Sequence, residues 1–388
     1  MIEHSHYLSN TAKNLKPSGI RKFFDLAAGM EGVISLGVGE PDFVTSWNVR
    51  EACIQSLEQG YTSYTGNAGL IELREEISYY LQKITNKYYN PKSQLLVTVG
   101  ASQALDIALR AIINPGDEVL IIDPSFVSYA ALVDLAGGVP VMVRTKGEEE
   151  FKLQPEALEA AITDKTKAII ICSPSNPTGT VLRKEELERL AVIIEKHDLL
   201  VISDEIYSEL TYDEEYTSFA SIEGMTDRTI LISGFSKAFA MTGWRLGYVA
   251  ANEEFLQAML KIHQYSMLCA PTMAQYAAIE ALKNGFDDVA HMKKSYRQRR
   301  NLVVSALNDM GLTCHTPGGA FYVFPSIRKT NLTSEQFAEQ LLLEEKVAVV
   351  PGSVFGESGE GYIRCSYASS LEQLQEALKK MQRFVDKF

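Results

Sequence analysis

The chain has 388 residues, 46% hydrophobic and 22% charged, with a formal net charge of -12. That balance opposes a nucleic-acid partner, which needs a basic face, and no apolar run reaches the roughly 18 residues of a membrane span, so no membrane partner is expected. The N-terminal MIEHSHYLSN shows no basic stretch followed by an apolar run, and the five cysteines, Cys53, Cys172, Cys269, Cys314 and Cys365, are odd in number and scattered. The expectation is a cytoplasmic protein with reduced thiols and no metal site.

In chain order, the N-terminal segment up to about Pro41 offers one short helix near Ile20 to Ala28, and it is expected to lie against the C-terminal unit. From Leu95 to Ala251 short apolar runs alternate with helical patterns. Strands are predicted at Leu95–Val99, Glu118–Ile122, Val139–Val143, Ala168–Cys172, Leu199–Ser203, Thr229–Ser233 and Trp244–Ala250. Helices fall between them, including Ser102–Ile113 and Glu185–His197. Continuous β-branched runs separated by amphipathic helices imply a sheet buried on both faces and mostly parallel. Helices dominate from Glu253 to Asn308. Strands at Phe321–Phe324, Val347–Val350 and Tyr362–Ser366, with helices at Glu335 and Leu371, then make a smaller α/β unit. The fold class is α/β, with a large domain at 46–289 holding a mostly parallel seven-stranded sheet, and a small domain formed by 1–45 and 290–388.

Doubly wound sheets place ligands beyond the carboxyl ends of their strands, and several unusual residues cluster at such ends. Asp204 follows one apolar run, Asn176 another, Lys237 a third, and Gly100-Ala-Ser-Gln103 joins a strand to a helix start. A lone Asp at a strand end is usually a cap, a lone Asn-Pro-Thr-Gly a loop, and a lone Lys a surface charge. Four such coincidences point to one site. The helix start at Gly100, Ala101 and Ser102 suits a phosphate, with Arg245 as its bidentate partner. A carboxylate, a lysine, an Asn–Tyr pair and a phosphate cup together match pyridoxal 5′-phosphate. In that reading Asp204 keeps the pyridine nitrogen protonated, Asn176 and Tyr207 hydrogen-bond the phenolic oxygen, and Phe126 stacks on the ring.

These segments resemble the class I/II aminotransferases of PLP fold type I. Ser236-Lys-Ala-Phe-Ala-Met-Thr-Gly-Trp-Arg-Leu-Gly-Tyr248 looks like the family's lysine segment followed by its phosphate-binding arginine. Ser175-Asn-Pro-Thr-Gly179 and Asp204-Glu-Ile-Tyr207 are similar to its ring-binding motifs. The resemblance further implies that the Gly39 backbone, in Leu36-Gly-Val-Gly-Glu-Pro-Asp-Phe43, contacts substrate. It also implies that Tyr64 reaches the phosphate of a neighbouring subunit, and that Arg364, in Tyr362-Ile-Arg-Cys-Ser366, binds the substrate carboxylate. Phe126 and Asn176 are then substrate contacts as well. Three positions depart from the family's pattern. Ser102 stands where aspartate-specific relatives often carry a lysine, Phe126 replaces Trp or Tyr, and Gly234 replaces a hydroxyl residue, leaving Ser236 as a candidate phosphate ligand.

The resemblance implies a ping-pong transaminase in a homodimer. Lys237 binds the cofactor and, once displaced, acts as the base that moves the Cα proton. The subgroup resemblance, through the Phe126-Val-Ser-Tyr129 and Ile20-Arg-Lys-Phe23 segments, favours an aromatic amino acid as donor and 2-oxoglutarate as acceptor. N-acetyl-LL-diaminopimelate, aspartate and alanine are alternative donors, and a PLP-dependent C–S lyase is the alternative reaction on the same fold. Ile20 to Phe24 is a candidate lid.

Overall fold

The β-branched runs form twelve short strands in a computed structural model that describes residues 4–17, 19 and 29–388. The helix expected near Ile20 to Ala28, and with it the lid candidate Ile20 to Phe24, lies outside the described residues. In chain order the strands are β1 (Ile34–Ser35), β2 (Leu95–Thr98), β3 (Glu118–Asp123), β4 (Val139–Arg144), β5 (Thr166–Cys172), β6 (Leu200–Asp204), β7 (Thr229–Gly234), β8 (Gly247–Ala250), β9 (Tyr322–Val323), β10 (Val347–Ala348), β11 (Val350–Pro351) and β12 (Ile363–Ser366).

Seven strands share one sheet in the order β2-β8-β7-β6-β5-β3-β4. The β3–β4, β3–β5, β5–β6 and β6–β7 pairs are parallel, while β8 runs antiparallel to both β2 and β7. Side-chain alternation sends Ile169, Ile171 and Val201 toward the helix Lys184–Lys196 on one face. Ala168, Ile170 and Ile202 go to the opposite face, against the helix Gly100–Ile112. Period-two geometry on a sheet covered on both sides accounts for the unbroken apolar runs.

The C-terminal part has its own antiparallel sheet, β11-β12-β9. Phe321, Ile363 and Cys365 pack there with residues of the helices Phe286–Asp309, Ser334–Glu345 and Leu371–Val385. The second of these helices starts at a capping box in which Thr333 and Gln336 satisfy each other's backbone donors. The N-terminal segment joins this part directly. β1 pairs in parallel with β10, the Leu36 N–H donates to the Ala348 carbonyl at 2.8 Å, and the Ser366 N–H donates to the Leu36 carbonyl at 2.6 Å. Those bonds hold the Gly37–Glu40 loop at the carboxyl ends of the large sheet's strands, where the Gly39 carbonyl accepts from Lys237.

Two predicted strands differ in extent. The run Trp244–Ala250 is a strand only from Gly247, because Arg245 sits at φ +54°, outside extended backbone. The run Val347–Val350 divides between β10 and β11, which belong to different sheets. Leu231 is fully buried in β7, so Leu231→Ala should remove about 2–5 kcal/mol of stability. A drop in the thermal unfolding midpoint, with the far-UV circular dichroism of the folded state unchanged, is the expected result.

Candidate active site

The carboxyl ends of the parallel strands, the Gly37–Glu40 loop and β12 enclose a cavity of about 440 Å³. The neighbouring strands β5 and β6 end in register, with Cys172 beside Asp204. β7 ends at Gly234, three residues before Lys237. Because β8 is reversed, its start lies beside the ends of β2 and β7, with Gly247 opposite both Thr98 and Gly234. Arg245, two residues earlier, therefore reaches the turn that opens the Gly100–Ile112 helix.

Lys237 donates from Nζ to the Gly39 carbonyl at 2.6 Å. Burial pushes its ammonium pKa down to about 8 against the pull of Glu40, while Arg364 and Arg245 add to the depression and Asp204 opposes it. Asp204 accepts from the Tyr129 hydroxyl at 2.7 Å on Oδ2 and from the Ile206 N–H at 3.3 Å on Oδ1. Burial raises the Asp204 carboxyl, and those two hydrogen bonds and Lys237 only partly oppose it. Tyr207 and Tyr322 share a hydrogen bond of 2.9 Å between their hydroxyls, and burial raises both phenols.

Arg364 is buried in β12. It donates to Asn176 Oδ1 at 2.9 Å and to the Gly37 carbonyl at 2.7 Å. Its guanidinium carbon lies 4.5 Å from the Tyr322 ring centroid and 4.9 Å from that of Phe355, and its Nε has no protein partner. At the other end, the first-turn amides of the Gly100 helix have no acceptor within the helix. Gly100 is at φ +79°, and a Cβ there would lie 2.8 Å from an Arg245 nitrogen. A Cβ on Gly247 would lie 2.6 Å from the Ala101 nitrogen.

Of the residues singled out in the sequence, Ala101, Ser102, Phe126, Asn176, Asp204, Tyr207, Ser236, Lys237, Arg245, Gly39 and Arg364 all line this cavity. Gly100 supports it from behind Arg245. Tyr64 stands apart and is 81% exposed. Gly234 has a packing reason: a Cβ there would meet the Gly247 Cα at 2.9 Å, so the pairing of β7 with β8 leaves no room for a hydroxyl side chain. Sequence reasoning missed Tyr129, Tyr322, Glu40 and Thr242 as wall residues. Tyr129 closes the segment that carries Phe126, but the signal for Tyr322 exists only once β9 is paired with β12.

This set fits pyridoxal 5′-phosphate. Two glycines leave a cradle that any Cβ would fill, beside an arginine and a helix start. A buried carboxyl with raised proton affinity awaits a cationic partner, and an amine of lowered pKa stands near it. The residue types match a phosphate, a protonated ring nitrogen and an aldehyde respectively.

The fold and this donor set define a pyridoxal-phosphate enzyme built on a mostly parallel α/β sheet. The family model described as Aminotransferase class I and II matches residues 31–381. The YugH protein of Bacillus subtilis (strain 168) is 68% identical over 98% of this chain and 99% of its own. An aspartate aminotransferase of Pyrococcus abyssi (strain GE5 / Orsay) is 50% identical over 97% of each chain. The crystal structure of an aromatic aminotransferase from Pyrococcus horikoshii OT3 superposes with a TM-score of 0.91 at 48% identity, covering 95% of this chain and 99% of that one. The chain belongs to the class I and II aminotransferases. It is a pyridoxal-phosphate-dependent transaminase.

Only the neutral amine attacks an aldehyde. Since Lys237 deprotonates near pH 8 rather than at the ordinary lysine value of 10.5, cofactor capture by the cofactor-stripped protein should speed up as pH rises toward about 8 and level off above it. Stopped-flow absorbance of the bound cofactor checks the profile, and Lys237→Ala should give no such band.

Proposed function

We propose that the chain moves the amino group of an L-amino acid, aromatic donors favoured, to a 2-oxo acid such as 2-oxoglutarate in a ping-pong cycle. The observation that carries this reading is the half-buried Lys237, its amine of lowered pKa, facing a cavity that also holds Asp204 and Arg364. Pyridoxal phosphate, when bound, supplies a cationic aromatic ring that accepts the electron pair left as a bond to the substrate Cα breaks.

The positions support the following roles. Lys237 would hold the cofactor at rest and, once freed, would take the Cα proton on Nζ. Asp204 would keep the ring nitrogen protonated, with Tyr129 fixing its other oxygen. Asn176 and Tyr207 would bind the phenolic oxygen, and Phe126 would cover the ring face. Gly100, Ala101, Ser102, Ser236 and Arg245 would hold the phosphate. Arg364 would take the substrate α-carboxylate beside Asn176 and the Gly39 backbone, fixing the Cα–H direction for proton removal.

The donor preference is supported by the charges. The cationic side chains in the cavity wall, among the described residues, are Lys237, Arg245 and Arg364. The proposed roles occupy all three, and Ser102 stands where a further cation for a distal carboxylate would sit. Leu105, Phe126, Ile206 and Tyr322 supply apolar wall instead.

A homodimer belongs to the same proposal. Tyr64 is 81% and Tyr265 91% exposed. Their segments are laced together by Asn67 Nδ2 donating to the Leu268 carbonyl at 3.0 Å and Thr272 Oγ1 to the Ser63 carbonyl at 2.8 Å, which suits an edge where Tyr64 reaches a second subunit's phosphate. A cytoplasmic setting agrees with the five free cysteines. The division into a large unit at 46–289 and a small unit from 1–45 and 290–388 is supported by the sheets: the seven-stranded one falls within the first range, and β11-β12-β9 and β1-β10 fall within the second.

Initial rates with 2-oxoglutarate and phenylalanine, tyrosine, aspartate, alanine or N-acetyl-diaminopimelate as donor test the substrate reading. Phenylalanine or tyrosine should exceed aspartate in kcat/KM by roughly ten-fold or more; aspartate as best donor, or release of ammonia and pyruvate from a sulfur amino acid, would overturn it. Arg364→Leu should raise KM and lower kcat together, reducing kcat/KM by roughly 10- to 100-fold. Unchanged values of both would remove Arg364 from the substrate site.

A further inference from the structure

The turn that opens the Gly100–Ile112 helix is braced from behind by two side chains that the cavity does not contain. The Val99 N–H, at the position preceding that helix, donates to Gln103 Oε1 at 2.7 Å. This bond fixes the orientation of the Gln103 amide: its oxygen is the acceptor, so its NH₂ must point the other way. There it meets His263 Nδ1 at 3.0 Å. His263 is fully buried on the helix Glu253–Ser266. Since the amide is the donor, Nδ1 must be the acceptor, and the imidazole is held neutral with its proton on Nε2. Burial lowers the His263 pKa in the same sense and outweighs the opposing pull of the Asn67 backbone, which faces the ring. Asn67 lies three residues from Tyr64, and its side chain donates to the Leu268 carbonyl.

We infer that Gln103 and His263 are positioning residues for cofactor binding, a fixed-tautomer pair that holds the Val99–Ser102 turn in the geometry that receives the phosphate. The physical need is local. Gly100 is in the left-handed region at φ +79°, where glycine has the broadest freedom of any residue and the least intrinsic preference for one geometry. The amide preceding it must be pinned for the free N–H groups beyond it to converge on an anion. The Thr98 hydroxyl, donating to the Gly100 carbonyl at 3.0 Å, restrains the turn from the β2 side; Gln103 restrains it from the helix side, and His263 prevents the Gln103 amide from flipping. Neither residue touches the cofactor in this account, so both act through the turn.

The inference rests on the reading of this turn as the phosphate cup, and its test separates the two. Dissociation constants for pyridoxal 5′-phosphate and for pyridoxal, which lacks the phosphate, are measured by the absorbance of the lysine-bound cofactor for wild type, His263→Leu, His263→Asn and Gln103→Ala. In the wild type the phosphorylated form should bind far more tightly; equal affinities would overturn the cup itself. His263→Leu and Gln103→Ala should each weaken pyridoxal 5′-phosphate by roughly ten-fold, the scale of a lost buried hydrogen bond and the polar group it leaves, with pyridoxal affinity unchanged. His263→Asn, whose side-chain oxygen can accept where Nδ1 does, should restore most of the loss. Equal weakening of both ligands, no weakening of either, or no rescue by asparagine would overturn the positioning role while leaving the cup intact. Gln103→Ala carries the test alone if His263→Leu does not fold.

Discussion

An ammonium taken out of water is the interaction on which the site turns. Lys237 is almost enclosed, and enclosure alone favours its neutral form. Two arginines across the cavity push in the same direction, and the carboxylates of Glu40 and Asp204 push back. The balance leaves an amine that carries a proton in moderately acidic water and loses it near pH 8. An exposed lysine at the same place in the sequence would keep the ordinary value and be a poor nucleophile at neutral pH. The reactivity thus comes from the walls. One wall, the Gly37–Glu40 loop, is held by main-chain bonds from Leu36 to Ala348 and Ser366, residues more than 300 positions along the chain. Chemistry at Lys237 therefore depends on long-range pairing of the N-terminal segment with the C-terminal part.

A second dependence runs through strand direction. Were β8 parallel to its neighbours, Gly247 and Arg245 would lie at the opposite edge of the sheet, far from Gly100. Reversal brings them to the carboxyl ends of β2 and β7. The glycines that follow from this arrangement are steric requirements. Gly247 has Ala101 and Gly100 backbone atoms within 2.7 Å of where its Cβ would be, and Gly234 faces Gly247 across the ladder at 2.9 Å. Arg245 itself adopts φ +54°, a cost of order 1–3 kcal/mol for a non-glycine residue that persists only where the surroundings enforce it.

Much of this was legible in residue order. Apolar runs placed the strands of the large sheet to within a few residues, since a sheet covered on both faces leaves no ambiguity about which side is buried. Asp204, Asn176 and Lys237 were legible because they break such runs at strand ends. Other features were not. The start of β8 was misjudged because Trp244 and Leu246 continue the apolar pattern, whereas the backbone at Arg245 answers to the Gly100 contact. Tyr322 and Tyr129 carry no site signal in the sequence, and both are buried; what distinguishes them is the partner each hydroxyl finds, Tyr207 and Asp204, and that is a property of pairing across distant segments. Gly234 looked like a lost phosphate ligand until the spacing of two strands supplied its reason.

Arg364 joins these constraints in one side chain. It comes from β12 in the C-terminal sheet, yet it donates to Asn176, which follows β5 in the large sheet, and to Gly37 in the N-terminal loop. Tyr322 and Phe355 hold the guanidinium from two sides. Phe355 is tied to the large sheet in turn, its carbonyl accepting from the Ser125 N–H at 2.9 Å. Close by, Asp123 accepts from the Ser358 N–H and hydroxyl at 3.1 and 2.9 Å. Any hinge motion of the C-terminal part must break or carry these bonds, and removing a partner from a buried guanidinium leaves donors unsatisfied at a cost of order 1–3 kcal/mol each. Arg364 Nε is buried without a protein partner, and in the proposed role a substrate carboxylate that took the place of Asn176 would replace a neutral acceptor with a charged one, which is stronger. Under the proposed role, a ligand at Arg364 would act on the same side chain that ties β12 to Asn176 and Gly37.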